Sequence, residues 1–129
     1  MKVLVTGTTG YLGCLVAPEL ARRGHEVIGV DTGYYANGWL YNGVEIAPTT
    51  LFKDIRNITR EDLEGVDAVV HMAELSNDPL GELLSEVTYT VNHLGSVRLA
   101  ELAIAAGVER FVYMSSCSVY GVAEGTVDE

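Results

Sequence analysis

A chain of 129 residues that is 48% hydrophobic and 20% charged carries enough apolar material for one packed core and fits one domain. Its formal net charge of −10 argues against nucleic acid or an anionic membrane as partner, because both are held by clustered Lys and Arg. No apolar stretch is long enough to span a bilayer, and Met1-Lys2 runs straight into a strand-like segment, so neither a membrane span nor a signal peptide is expected. Cys14 and Cys117 stand apart without metal-ligand spacing; they read as reduced thiols of a cytoplasmic protein, and no metal site is expected. Asn57-Ile58-Thr59 matches a glycosylation acceptor by chance in that setting.

The first element is the apolar run Lys2 to Thr6, which enters a turn with glycines at Gly7, Gly10 and Gly13. Gly7 takes the turn, Gly10 lets the backbone approach a ligand, and Gly13 lets the following helix pack close to the strand. The helix N-terminus then offers unpaired N–H donors and a positive dipole end to a pyrophosphate. From Tyr11 to Arg23 the spacing of Leu12, Val16 and Leu20 predicts a helix lying on a sheet, closed by Gly24. The second strand, Glu26 to Asp31, ends in a carboxylate placed to accept hydrogen bonds from ribose hydroxyls. Strand, glycine turn, helix and acid together predict a dinucleotide site. A carboxylate at Asp31 repels a 2′-phosphate, and no Lys or Arg occurs in Thr32-Gly33-Tyr34-Tyr35, so NAD is favoured over NADP. A phosphate-loop nucleotide hydrolase is excluded, because no lysine follows these glycines.

Residues Thr32 to Gly43 hold Tyr34, Tyr35, Trp39 and Tyr41 without a period and read as a long loop, whose aromatics could contact adenine or sugar or clamp the loop itself. Leu51 to Asp54 predicts a short third strand. Thr59 to Leu63 has the capping pattern of a short helix, with Asp62 placed to cap back to Thr59. Asp67 to Met72 suits a buried parallel strand, with His71 read as a core histidine bonded to backbone, while His25 and His93 read as surface positions. A long helix is expected from about Leu80 to Ala106, with Leu94, Leu99, Leu102 and Ala106 on its buried stripe and Gly107 ending it. Arg110 to Met114 is the last strand, and Val122 to Glu129 is an acidic tail. The alternation of strand and helix predicts an α/β fold: a Rossmann-type, doubly wound parallel sheet of about five strands with helices on both faces.

Several segments in order carry a family resemblance. Thr6-Gly7-Thr8-Thr9-Gly10-Tyr11-Leu12-Gly13 resembles the T-G-x-x-G-x-x-G signature of extended short-chain dehydrogenases/reductases. Asp54-Ile55-Arg56, His71-Met72-Ala73-Glu74, Asn92-His93-Leu94-Gly95-Ser96 and Ser115-Ser116-Cys117-Ser118-Val119-Tyr120-Gly121 resemble that family's further elements. The subgroup it is most similar to is the nucleotide-sugar epimerases and dehydratases. The resemblance implies an NAD contact surface at Gly7, Thr9, Gly10, Tyr11, Leu12 and Gly13, with Asp31 on the ribose. It implies that Asp54 bonds the adenine amine with Ile55 beside the ring. Ala73 and Leu75 would then line the ribose and nicotinamide path, and Asn92 would lie close to the cofactor. Ser116 aligns with the active-site hydroxyl that bonds the reacting sugar oxygen.

Two departures qualify what this chain does. The family transfers hydride with a Tyr-x-x-x-Lys pair, whose lysine lowers the tyrosine pKa. No such pair occurs here: Tyr120 has Glu124 four residues on, and Lys53 is the last lysine. In the family that pair and the substrate domain lie beyond the serine segment, so residues 1–129 are expected to be the NAD-binding part, inactive alone. The second departure is Glu74 where the family usually has alanine, which puts a carboxylate near the nicotinamide or towards solvent. The implied partner is a nucleotide sugar. A homodimer through the long helix is possible, and the alternative is a non-catalytic NAD-binding module that self-associates through an exposed sheet edge.

Overall fold

The computed structural model describes residues 1–36, 49–76, 78–122 and 125–126. The loop aromatics Trp39 and Tyr41 and most of the acidic tail lie outside them. In chain order the elements are β1 (Lys2–Thr6), α1 (Gly13–Arg22), β2 (Glu26–Asp31), β3 (Thr49–Phe52) and β4 (Ala68–His71). The short helices α2 (Asp78–Leu83) and α3 (Ser85–Tyr89), a π-helical segment (Thr90–Gly95), α4 (Ser96–Ala106) and β5 (Arg110–Tyr113) follow. All strand pairs are parallel, in the order β3-β2-β1-β4-β5. The five-stranded parallel sheet with helices is the α/β Rossmann-type arrangement expected from the alternation of elements.

The pleat sorts the side chains onto two faces. Val3, Val5, Val27 and Ala68 meet Ala17 of α1 on one side. Leu4, Val30 and Val69 meet Leu99 and Ala103 of α4 on the other, with Ile55, Ile58 and Leu63 from the connection between β3 and β4. Strands β1 and β4 are covered on both faces, which is why their sequences read as unbroken apolar runs.

Four elements differ from their sequence reading. The buried face of α1 is Gly13, Cys14, Ala17 and Pro18, while Leu12 is 52% exposed and Leu20 sits at the edge of the packing. Close approach of helix to strand selects small side chains there, so the leucine spacing marks the rim of the contact and not its centre. The third strand starts two residues earlier than Leu51, paired from Thr49 to Phe52 against Ile28 to Asp31. The segment after Thr59 is a single 3-10 turn, Glu61–Leu63, although the Asp62 carboxylate does accept from the Thr59 N–H at 2.7 Å. The long helix is interrupted at Leu84 (φ −131°, ψ 51°) and again by the π-helical segment. That wider turn rotates Leu94 out to 49% exposure, while Leu99 is fully buried. Gly24 and Gly107 close α1 and α4 as expected, with His25 N–H on Leu20 O at 3.2 Å and Val108 N–H on Ala103 O at 3.0 Å. His25 is half-buried, not a surface position.

Candidate functional site

A cleft opens at the C-terminal ends of the strands, where the order reverses between β1 and β4. Open α/β sheets receive ligands at such a reversal. Its floor is Gly7 and Gly10; one side carries Asp31, Tyr34 and Tyr35, another Lys53 to Arg56, and the wall past β4 is Met72 to Leu75.

The glycine turn is built by backbone proximity. Gly7 has φ +78°, and its N–H donates to Val30 O at 2.8 Å. A Cβ at Gly7 would stand 3.0 Å from Met72 and Ala73 backbone atoms, so the floor and the wall touch directly. A Cβ at Gly13 would lie 1.9 Å from Gly7 O, a distance no side chain occupies. The Gly10 N–H is spent on Gly7 O and the Cys14 N–H on Gly10 O, both at 3.1 Å. Between them, the first-turn N–H groups of Leu12 and Gly13 have no backbone acceptor among the described residues, which leaves donors at the positive end of α1. The cradle therefore fits a dinucleotide pyrophosphate by shape and by donor supply. Asp31 is fixed at the end of β2: Oδ2 accepts the Thr9 N–H at 2.8 Å and Oδ1 the Gly33 N–H at 2.7 Å. Each oxygen keeps a lone pair for a further donor.

Two cations face the cleft, and both are matched by carboxylates. Arg56 forks onto Asp54, with Nε 3.0 Å from Oδ1 and Nη2 2.6 Å from Oδ2. Asp54 also caps the following 3-10 turn by accepting the Arg56 N–H at 2.8 Å. The Arg56 guanidinium holds the Asp54 carboxyl below its ordinary value. Lys53 pairs with Asp62.

The Met72–Leu75 wall is tied to three other elements. Thr6 Oγ1, on β1, accepts the N–H groups of Met72 and Ala73, each at 3.1 Å. Glu74 accepts the hydroxyl of Tyr113, on β5, and that hydrogen bond pushes the tyrosine up to about 12. Asn92, in the π-helical segment, accepts the Leu75 N–H at 2.8 Å and donates to Leu75 O at 3.0 Å. Both ends of the Asn92 amide are thus engaged with backbone. His71 is fully buried, and it bonds two side chains, Thr6 and Ser96, where backbone partners were expected.

Of the residues singled out from sequence, the fold brings Gly7, Gly10, Asp31, Asp54, Ile55, Ala73, Glu74 and Leu75 to the cleft lining. Thr9 and Gly13 support the cleft from behind, and Asn92 does so through Leu75. Tyr11 and Leu12 are 69% and 52% exposed beside the turn. Ser116 is exposed past β5, outside the lining, and caps its own turn by accepting the Ser118 N–H at 3.2 Å. Sequence reasoning missed Thr32, Lys53, Arg56, Met72, Val87 and Val91 as lining residues. Val87 and Val91 are four apart and arrive on one face of a helix, a spacing that could have flagged them. Among the described residues, no three metal-ligating side chains gather and no helix is long and apolar enough to cross a membrane.

The chain is 36% identical to a UDP-glucose 4-epimerase of Klebsiella pneumoniae over 94% of its length and 93% of that protein's. It is 34% identical to a UDP-glucose 4-epimerase of Bacillus subtilis, covering 96% of this chain but 39% of that protein. Among solved structures it resembles a UDP-glucose 4-epimerase from Stenotrophomonas maltophila with bound NAD and formylated UDP-arabinopyranose. The TM-score there is 0.83 at 29% identity, over 97% of this chain and 40% of that one. The chain thus spans well under half of the Bacillus and Stenotrophomonas proteins. The family model described as NAD dependent epimerase/dehydratase family matches residues 3–129, and the chain belongs to that family.

Proposed function

We propose that residues 1–129 are the NAD-binding portion of a nucleotide-sugar epimerase or dehydratase. The observation that carries this reading is the glycine cradle at the sheet reversal, with free first-turn N–H groups and Asp31 fixed at the end of β2. Bound NAD supplies a reversible hydride acceptor. Around it, Leu12 and Gly13 donate to the pyrophosphate, Asp31 accepts from the adenosine ribose, and Asp54 and Ile55 flank the adenine. Ala73 and Leu75 line the path beyond, Asn92 acts by holding Leu75, and the Ser116 hydroxyl meets the sugar. Isomerase chemistry of a nucleotide sugar and a cytoplasmic setting belong to the same reading. The sequence contains no Tyr-x-x-x-Lys, so turnover requires a general base from outside these residues.

Calorimetric titration with NAD and NADP tests it. NAD binds more tightly, and Gly10→Val abolishes binding by filling the floor. Asp31→Ala weakens NAD and narrows its advantage over NADP. No binding of either dinucleotide overturns the assignment, and turnover of UDP-glucose by the 129-residue chain overturns the expected inactivity. A second reading, a self-associating module, draws on β5: it is one of the two edges of the sheet among the described strands, and Phe111, Val112 and Tyr113, with Met114 just past it, are 37% to 48% exposed. A sedimentation coefficient that does not change with concentration removes that reading.

A further inference from the structure

The hydrogen bonds around His71 fix their own direction. Ser96 has one hydroxyl proton, and Asn92 O, which can only accept, lies 2.6 Å away. Ser96 Oγ therefore donates to that carbonyl and accepts from His71 Nε2, 2.7 Å distant. With the proton on Nε2, the Nδ1 nitrogen is an acceptor, and Thr6 Oγ1 donates to it across 2.6 Å. The lone pairs of that same oxygen take the N–H groups of Met72 and Ala73. The chain of bonds starts on the cleft wall, crosses β1, the imidazole and α4, and ends on Asn92 O. The Asn92 side chain then returns to the wall at Leu75. Every donor and acceptor along this path has one role; the opposite tautomer would aim the Nδ1–H at a Thr6 oxygen whose lone pairs are already filled and leave Nε2 without a donor, the Ser96 proton being committed to Asn92 O.

We propose that this closed circuit is a positioning device for the cofactor cleft: His71, neutral with its proton on Nε2, couples the π-helical segment to the Met72–Leu75 wall and sets where that wall stands against the dinucleotide. The proposal rests on the NAD reading. His71 touches no ligand; it acts through Thr6 and Ser96. The wall is sensitive to such a device because it stands so close to the cradle that a Cβ at Gly7 would lie only 3.0 Å from Met72 and Ala73 backbone atoms, with no side chain between the two to absorb a shift.

The test pairs hydroxyl removal with hydroxyl retention. Thr6→Val keeps the shape of the side chain but leaves Nδ1 without a donor and two amides without an acceptor; Thr6→Ser keeps the hydroxyl. Ser96→Ala and Ser96→Thr do the same at the helix end, and serve if Thr6→Val fails to fold. NAD dissociation constants are measured by calorimetry at a temperature where urea unfolding shows each variant folded. We expect weakening of about tenfold in the variants lacking the hydroxyl and recovery to within about threefold in those that retain it. Imidazole 15N chemical shifts of the wild-type chain are expected to report the neutral Nε2–H tautomer at pH 7. An Nδ1–H or doubly protonated ring overturns the circuit. Equal NAD affinity in folded Thr6→Val or Ser96→Ala and in the wild type overturns the positioning role while leaving the NAD reading intact. A wild-type chain that binds no NAD overturns both, and the imidazole spectrum then still tells whether the circuit exists as architecture.

Discussion

A buried imidazole without a charged partner resists protonation. The groups facing His71 are the hydroxyls of Thr6 and Ser96 and the rings of Phe111 and Tyr113, 6.2 and 5.6 Å away, while the Glu74 carboxylate is spent on the Tyr113 hydroxyl. Burial lowers its pKa from 6.5 to about 4. Between those values the unfolded chain holds a proton that the folded chain refuses. The stability it contributes is therefore complete above pH 6.5 and is lost as the pH falls towards 4, by about 3 kcal/mol in all. Urea midpoints should drop across that window, above the range where the Arg56-held carboxylate of Asp54 titrates. A flat profile from pH 7 to 4.5 would contradict the burial of a neutral ring. Little of this was written in the sequence near residue 71. The glycines and Asp31 could be found because their residue types are demanded by local backbone geometry. The partners of His71, Asn92 and Glu74 come from 17 to 65 positions away, and no local pattern encodes them.

At the scale of elements, the strands were legible because β1, β2 and β4 are apolar runs of the right length between turn residues. The helices were less so, since packing at close range reverses the usual weight of large and small side chains. On α1 the glycine and alanine side sits on the sheet and the leucines flank it. In the long helical region the interruptions at Leu84 and in the π-helical segment shift the phase, so a stripe drawn at constant period fails before it reaches α4. Leu94, inside the π-helical segment, and Leu99, after it on α4, give a direct check. Leu99 is fully buried among Ile55, Val69 and Ala103, and Leu99→Ala should cost about 3 kcal/mol by cavity formation. Leu94 is 49% exposed, and Leu94→Ala should change stability by less than about 1 kcal/mol. Equal losses in urea unfolding would mean that the helix runs unbroken with the constant stripe after all.

For the molecule as a whole, a net charge of −10 and an anionic ligand set up an unusual electrostatic balance. Sites that hold phosphates with Lys and Arg lose affinity as salt rises, because screening weakens the attraction. Here the two cations facing the cleft are already matched, Arg56 by Asp54 and Lys53 by Asp62, and Asp31 and Glu74 add uncompensated acid to the lining. Attraction is left to the short-range N–H groups and dipole of α1, which act within a few ångströms and are little screened. The long-range field of the chain, by contrast, repels a dinucleotide and is screened over about 30 Å at 0.01 M salt but about 8 Å at 0.15 M. Raising the salt between those limits should therefore leave NAD affinity unchanged or strengthen it by up to about threefold, the reverse of a cation-built site. Calorimetry at the two ionic strengths decides the matter: a fall of tenfold or more in affinity with added salt would mean that Arg56 or Lys53 leaves its carboxylate to hold the phosphates, and that the backbone cradle is not the dominant anchor.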